Sequence, residues 1–161
     1  MMRTVLKIAI AFVALAAMSW IGVFFYWHLR VGREIRILRT QTTTRIEDLT
    51  QEQRYATVQL GVLGCRALPR LIGALHPSEE AGFLNAASHI VASEAWYIDH
   101  REHDDLSEPF SARMVLWQIL PQDSDAVKRR KTELMWAWWR GHAPRHPWWR
   151  VWSEACLRPA R

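Results

Sequence analysis

The sequence predicts an all-α protein, with one N-terminal transmembrane helix carrying a small domain of antiparallel helix pairs. Three observations predict it. A run of twenty residues, Ile8 to Trp27, carries no charge. Beyond it, apolar residues recur at spacings of three and four, the period of a helix buried on one face. No window shows the apolar–polar alternation, bounded by turn residues, that marks a strand. The chain divides into an anchor (1–29), a helical stalk (30–49), a helical domain (50–141) and a Trp/Arg-rich tail (142–161).

At about 1.5 Å rise per residue, the uncharged run spans roughly 30 Å as a helix, the depth of a bilayer's hydrocarbon core. Trp20, Tyr26 and Trp27 are amphipathic aromatics of the kind that collect at membrane interfaces. A signal peptide shares some of these features, with Arg3 and Lys7 as its basic end and Ala14-Leu15-Ala16 as a small-residue site. Cleavage there would leave a very short apolar core and expose Met18 to Trp27, so the run reads as an uncleaved signal anchor. Arg30, Arg33, Arg36 and Arg39 follow it, against Arg3, Lys7 and the amine before it. By the positive-inside rule this favours a single pass through a bacterial-type inner membrane with the domain in the cytoplasm. A short N-terminus retained inside would put the domain on the other side. Trp20, Trp27, Arg30 and Arg33 are the candidate interface residues of this end.

Ile35, Leu38, Thr42, Ile46 and Leu49 continue a narrow helical stripe through the stalk, weakened by Thr42-Thr43-Thr44. Thr50 with Gln53 forms a capping box, and Tyr55, Val58 and Val62 fall on one face of the helix that follows, with Gly61 and Gly64 limiting it. Leu68, Leu71, Ile72 and Leu75 then mark a core-facing helix ended by His76-Pro77. Ser78 is the expected N-cap of the next helix, whose inward face is Leu84, Ala87, Val91 and Ala95. The short connection makes the two an antiparallel pair.

Leu71-Ile-Gly-Ala-Leu-His-Pro-Ser-Glu-Glu-Ala81 aligns without gaps with Leu116-Trp-Gln-Ile-Leu-Pro-Gln-Asp-Ser-Asp-Ala126, 45 residues on. Each copy has an apolar helix end, a Pro-containing turn, an acidic cluster and an alanine. A second helix follows each, the later one carrying Val127, Leu134, Met135 and Trp138. A helix pair repeating at this period resembles the HEAT repeats, most closely over Ala67 to Ala95. The second copy departs from that pattern after Ala126, where Lys128 to Lys131 stand in place of apolar and small residues. The resemblance implies an α-solenoid module that acts as a scaffold for protein contacts. Two unrelated helical hairpins would give the same alignment.

Between the copies, His100 and His103 lie among Asp99, Glu102, Asp104 and Asp105. The pair is one helical turn apart and is the sequence's candidate metal site, but zinc needs two further ordered ligands. A solvated acidic loop explains the same residues. Cys65 and Cys156 match no metal or redox spacing.

Six of the ten tryptophans fall between Trp136 and Trp152, where nine bases from Lys128 to Arg161 face only Glu133 and Glu154. Trp138, Trp139, Trp148, Trp149, Arg150 and Trp152 are the candidates for contact with a partner protein or the headgroup layer. Capping of the helical core is the competing role. Stacking on single-stranded nucleic acid needs similar residues, but a membrane anchor disfavours it.

The sequence holds no phosphate loop, dinucleotide glycine pattern, nucleophile elbow or haem-attachment motif. The expectation is a non-enzyme without a cofactor: an accessory or scaffolding subunit, or an assembly factor, of a larger membrane complex, a respiratory or photosynthetic one being a candidate setting. Its partners would be other subunits and the bilayer, with no nucleic acid and no small-molecule substrate. The rival is a membrane-bound metal or cofactor protein using residues 99–105.

Overall fold

A computed structural model describes residues 2–103 and 109–142. Among these the protein is all-helical, with six α-helices, two short 3-10 turns and no strand. Helix α1 (Met2–Arg39) is one unbroken rod of 38 residues. It is long and apolar enough to cross a membrane, and its most apolar eighteen-residue window buries nothing against the protein. Its last turns are different: Val31, Ile35 and Leu38 are buried. Residues 30–39 are thus a wall of the domain and not the separate stalk that the sequence suggests.

The expected stripe through Thr42, Ile46 and Leu49 does not continue as helix, because α1 stops at Arg39. Thr40 Oγ1 hydrogen-bonds its own Ile37 carbonyl at 2.7 Å, and the Thr40 and Gln41 amides donate to Ile37 and Leu38. These local bonds compete with helix propagation, as threonine hydroxyls commonly do. The chain then crosses the start of α4 so closely that a Cβ on Gly82 would lie 2.6 Å from the Gln41 carbonyl oxygen. Only glycine admits that approach. A 3-10 turn at Ile46–Asp48 follows.

Helix α2 (Gln51–Leu63) opens with the expected capping box: the Thr50 hydroxyl accepts from the Gln53 amide, and the Gln53 side chain accepts from the Thr50 amide. It ends at Gly64, whose φ of 49° suits glycine. Gln53, Ala56, Leu60 and Leu63 face the core, while Tyr55, Val58 and Val62 are exposed. α2 packs on α1 and α4, and small Ala56 gives the closer approach there than the larger stripe would.

After a 3-10 turn at Gly64–Arg66, two hairpins complete the domain. The first is α3 (Leu68–Ala74) with α4 (Ala81–His103), and the second is α5 (Phe110–Trp117) with α6 (Asp125–His142). α3 packs on α4 and α6, and α5 also packs on α4 and α6. Leu68, Leu71, Ile72 and Leu75 are buried as their spacing predicts, and so are Leu84, Ala87, Val91 and Ala95. With Phe83, Leu60 and Leu38 they form the core. Each fully buried large side chain contributes about 2–3 kcal/mol relative to exposure.

Three local expectations change. α4 starts after Glu80, whose carbonyl accepts from Leu84, while Ser78 turns back to His76 Nδ1 at 2.7 Å. α4 also continues through His103, so the 99–103 part of the acidic segment is helix and not loop. On α6 it is Met135 that is buried and Trp138 that is partly buried, while Val127 and Leu134 point outward. The core face instead includes Thr132, whose hydroxyl reaches the Leu75 carbonyl.

Candidate membrane-surface site

The apolar part of α1 meets the domain at a cluster of arginines around Trp27. Arg66 sits over the Trp27 ring at 4.6 Å and Arg30 at 5.8 Å, so the indole is held between two cations. Arg30 also donates to the Tyr26 hydroxyl at 3.1 Å and to Gln59 of α2. Arg70 of α3 donates to the His28 carbonyl and lies against Gly32. The end of the long apolar helix is therefore gripped at once by α2, the 3-10 turn and α3. Trp20 stacks on Phe24, and Phe24 on His28, extending an aromatic ladder back along α1.

Between α1 and α2 runs an open groove of about 860 Å³ lined by Tyr26, Leu29, Arg30, Arg33, Glu34, Arg36, Ile37, Thr40 and Tyr55. Arg33 and Arg36 are exposed on its rim. Glu34 is only 3% exposed, and its Oε2 has no hydrogen-bond partner. The sequence pointed to Arg30 and Arg33 but not to Glu34, Arg66 or Arg70. The last two come from elements more than thirty residues away, and only the fold brings Arg66 to Trp27 and Arg70 to His28.

A second cluster joins the far ends of α4, α5 and α6. Asp99 accepts from Arg113 Nη2 at 2.8 Å, from Trp138 Nε1 at 3.0 Å and from His142 Nε2 at 3.0 Å. His142 Nδ1 is bonded to the Trp138 carbonyl at 2.9 Å, so both its ring nitrogens are engaged and neither serves as a base. Trp138 also packs against Trp117, Trp139 and His142. Trp138 and Trp139 are thus drawn onto the protein's own core, in the capping role weighed against partner contact. The cluster fixes three helix ends, and the groups it orders are structural.

His100 Nδ1 is bonded to the Trp96 carbonyl at 2.7 Å and its ring lies 3.8 Å from that of Trp96. The His103 side chain, and Trp148, Trp149, Arg150 and Trp152, lie outside the described residues. Among the described residues no group of three His, Cys, Asp or Glu converges on a metal position. Cys65 is buried and disulfide-bonded.

No protein-family model, no curated protein and no solved structure matches this chain.

Proposed function

We propose that this protein is a single-pass, membrane-anchored, non-catalytic accessory or scaffolding subunit, or an assembly factor, of a larger membrane complex. One observation carries the reading: the helix apolar enough to span a bilayer runs without a break into the domain's core through Val31, Ile35 and Leu38. A domain built this way is not a tethered passenger. It is held at a fixed height and angle on the bilayer surface, which suits a part that positions other chains. The two stacked hairpins keep the HEAT-like scaffold reading as the architecture that fits best. Tyr55, Val58 and Val62 supply a contact surface: they form one exposed stripe on α2, each 56–61% accessible.

Four arginines after the span against three positive groups before it favour the cytoplasm, by a margin of one, and we place the domain there. An alkaline phosphatase fused after Arg161 would be inactive in that orientation and active in the other.

The test of the function is purification from membranes in mild detergent, with the V58D/V62D variant in parallel. A stoichiometric membrane-protein partner that stays with the wild type and is lost from the variant is the expected result. A chain that runs alone in both preparations refutes the scaffold reading.

A further inference from the structure

We propose that the groove between α1 and α2 binds the headgroup of an anionic, hydroxyl-bearing phospholipid such as phosphatidylglycerol. Arg33 and Arg36 would hold its phosphodiester, and Glu34 a headgroup hydroxyl. The proposal rests on the membrane-anchored reading above and adds a ligand to it.

Position comes first. The groove begins at Tyr26, in the last turn of the uncharged run. The polar layer flanking the hydrocarbon core is on the order of 5–8 Å deep, which is about four or five residues of helix. Counted from Trp27, the Arg30 backbone stands within this layer and those of Arg33 and Arg36 beyond it, and their long side chains, tilted toward the helix N-terminus, reach back to the headgroups. Charge comes second. The lining holds three arginines against one carboxylate, so it is suited to an anion. Arg30 is already engaged by Tyr26 and Gln59 and acts as wall. Arg33 and Arg36 are exposed, have no ion pair among the described residues and stand three apart on one helix face, close enough to share one phosphate.

Exposed arginines alone would be an ordinary solvated fringe. Glu34 makes this a site. It is nine-tenths buried, it lines the groove, and its Oε2 meets no donor in the protein. A buried carboxylate oxygen without a donor is costly, and natural proteins rarely leave one. A donor brought by the ligand removes that cost. A choline headgroup offers none, whereas a glycerol headgroup offers hydroxyls beside its phosphodiester. Tyr26 and Leu29, nearer the apolar run than Arg33, then face the less polar glycerol backbone of the lipid.

The experiment is native mass spectrometry of the full chain in mild detergent. The added probes are phosphatidylglycerol, phosphatidylcholine, phosphatidic acid and, as a soluble source of the same anion, inorganic phosphate. Phosphatidylglycerol should be retained about thirtyfold more strongly than phosphatidylcholine, as two arginines near an anionic headgroup would give. The R33Q/R36Q variant, altered only at exposed positions, should retain the two lipids equally. The E34L variant should keep the preference for anionic lipid but lose that for phosphatidylglycerol over phosphatidic acid. Equal retention of phosphatidylglycerol and phosphatidylcholine by the wild type, or unchanged selectivity in R33Q/R36Q, overturns the proposal. Displacement of phosphatidylglycerol by inorganic phosphate overturns the lipid as the source. A protein that needs detergent for extraction but shows no lipid preference sinks this inference alone. A protein that stays in solution without detergent sinks the membrane reading itself.

Discussion

The two hairpins align residue for residue across their turns, yet different forces hold them. The first, α3 with α4, is apolar: Leu68, Leu71, Ile72, Phe83, Leu84 and Val91 are each 0–1% exposed. The second, α5 with α6, turns the pattern inside out. Val115 and Leu116 are exposed, while Arg113 is buried and paired with Asp99. Its interior is Trp117, Met135 and the partly buried Trp138 and Trp139, and Asp99 accepts from Trp138, Arg113 and His142 beside them. A matching turn therefore fixes where a chain reverses, but not what fills the space behind it. Packing without polar atoms is tolerant of partners' exact positions, whereas a buried carboxylate demands donors at set distances.

The largest expected effect lies in the first hairpin. Phe83→Ala removes a fully buried ring that also carries Arg39 at 5.5 Å, and should lower stability by about 3–5 kcal/mol. Urea unfolding of the full chain in detergent, followed by circular dichroism, measures it. A loss no larger than that of an exposed control such as Val115→Ala would break the claim that this hairpin is the apolar foundation.

In the second hairpin the corresponding test is Asp99→Ala. It takes the carboxylate from Arg113, Trp138 and His142 together, and should cost about 2–3 kcal/mol, the scale of a charged hydrogen-bonded group. The comparison is sharpened by Asp99→Asn, which keeps the shape and part of the bonding. If Asn is as harmful as Ala, charge is what matters. If it restores most of the stability, geometry is.

These two tests also mark what was legible from sequence. The first hairpin could be read because apolar periodicity states directly which positions are buried, and all eight positions named from spacing on α3 and α4 are. The stripe on α2 is equally periodic, but periodicity identifies a face and not the direction it points, and Tyr55, Val58 and Val62 point outward. Ala56 and Leu60 mark the real inner face, and only contact with α1 and α4 decides between them. The Asp99 cluster was not legible at all. Its donors come from 14, 39 and 43 residues away, as Arg113, Trp138 and His142, and local pattern carries no trace of such a meeting. The groove was half legible: the arginines stand out in sequence, but the burial of Glu34 does not.

A smaller effect tests the seam between the hairpins. Ser88 of α4 accepts the Ile119 amide at 2.8 Å, and Asn85 donates to the Ile119 carbonyl at 3.0 Å, so α4 satisfies both backbone groups of that residue. Ser88→Ala leaves a buried amide without its acceptor and should cost about 1–2 kcal/mol. Hydrogen exchange should rise at Ile119 before it rises on α3. Uniform acceleration over both hairpins would mean that they open as one unit, and that the contrast drawn here has no consequence for dynamics.

The smallest effects separate the hairpins by pH. On α4, partial burial lowers the pKa of His89 below its ordinary 6.5. In the turn of the second hairpin, burial alone would raise the pKa of Asp123. The Leu120 amide at 2.8 Å, Lys131 at 2.8 Å and the charge of Lys128 outweigh it, and hold the carboxyl below its ordinary 3.8. Both folded-state values are depressed, so in each case the unfolded chain binds its proton first as pH falls, and stability falls with it. The windows differ. His89 costs stability as pH drops below 6.5, and Asp123 only as it drops below 3.8. Urea midpoints near pH 7, about pH 5 and about pH 3 resolve the two, because stability changes only where the folded and unfolded states bind different numbers of protons. His89→Gln should flatten the upper interval and leave the lower one unchanged. Asp123→Asn, which keeps an acceptor for the Leu120 amide, should flatten the lower interval only. A wild type whose stability is constant between pH 7 and about pH 3 would show that neither group is linked to folding.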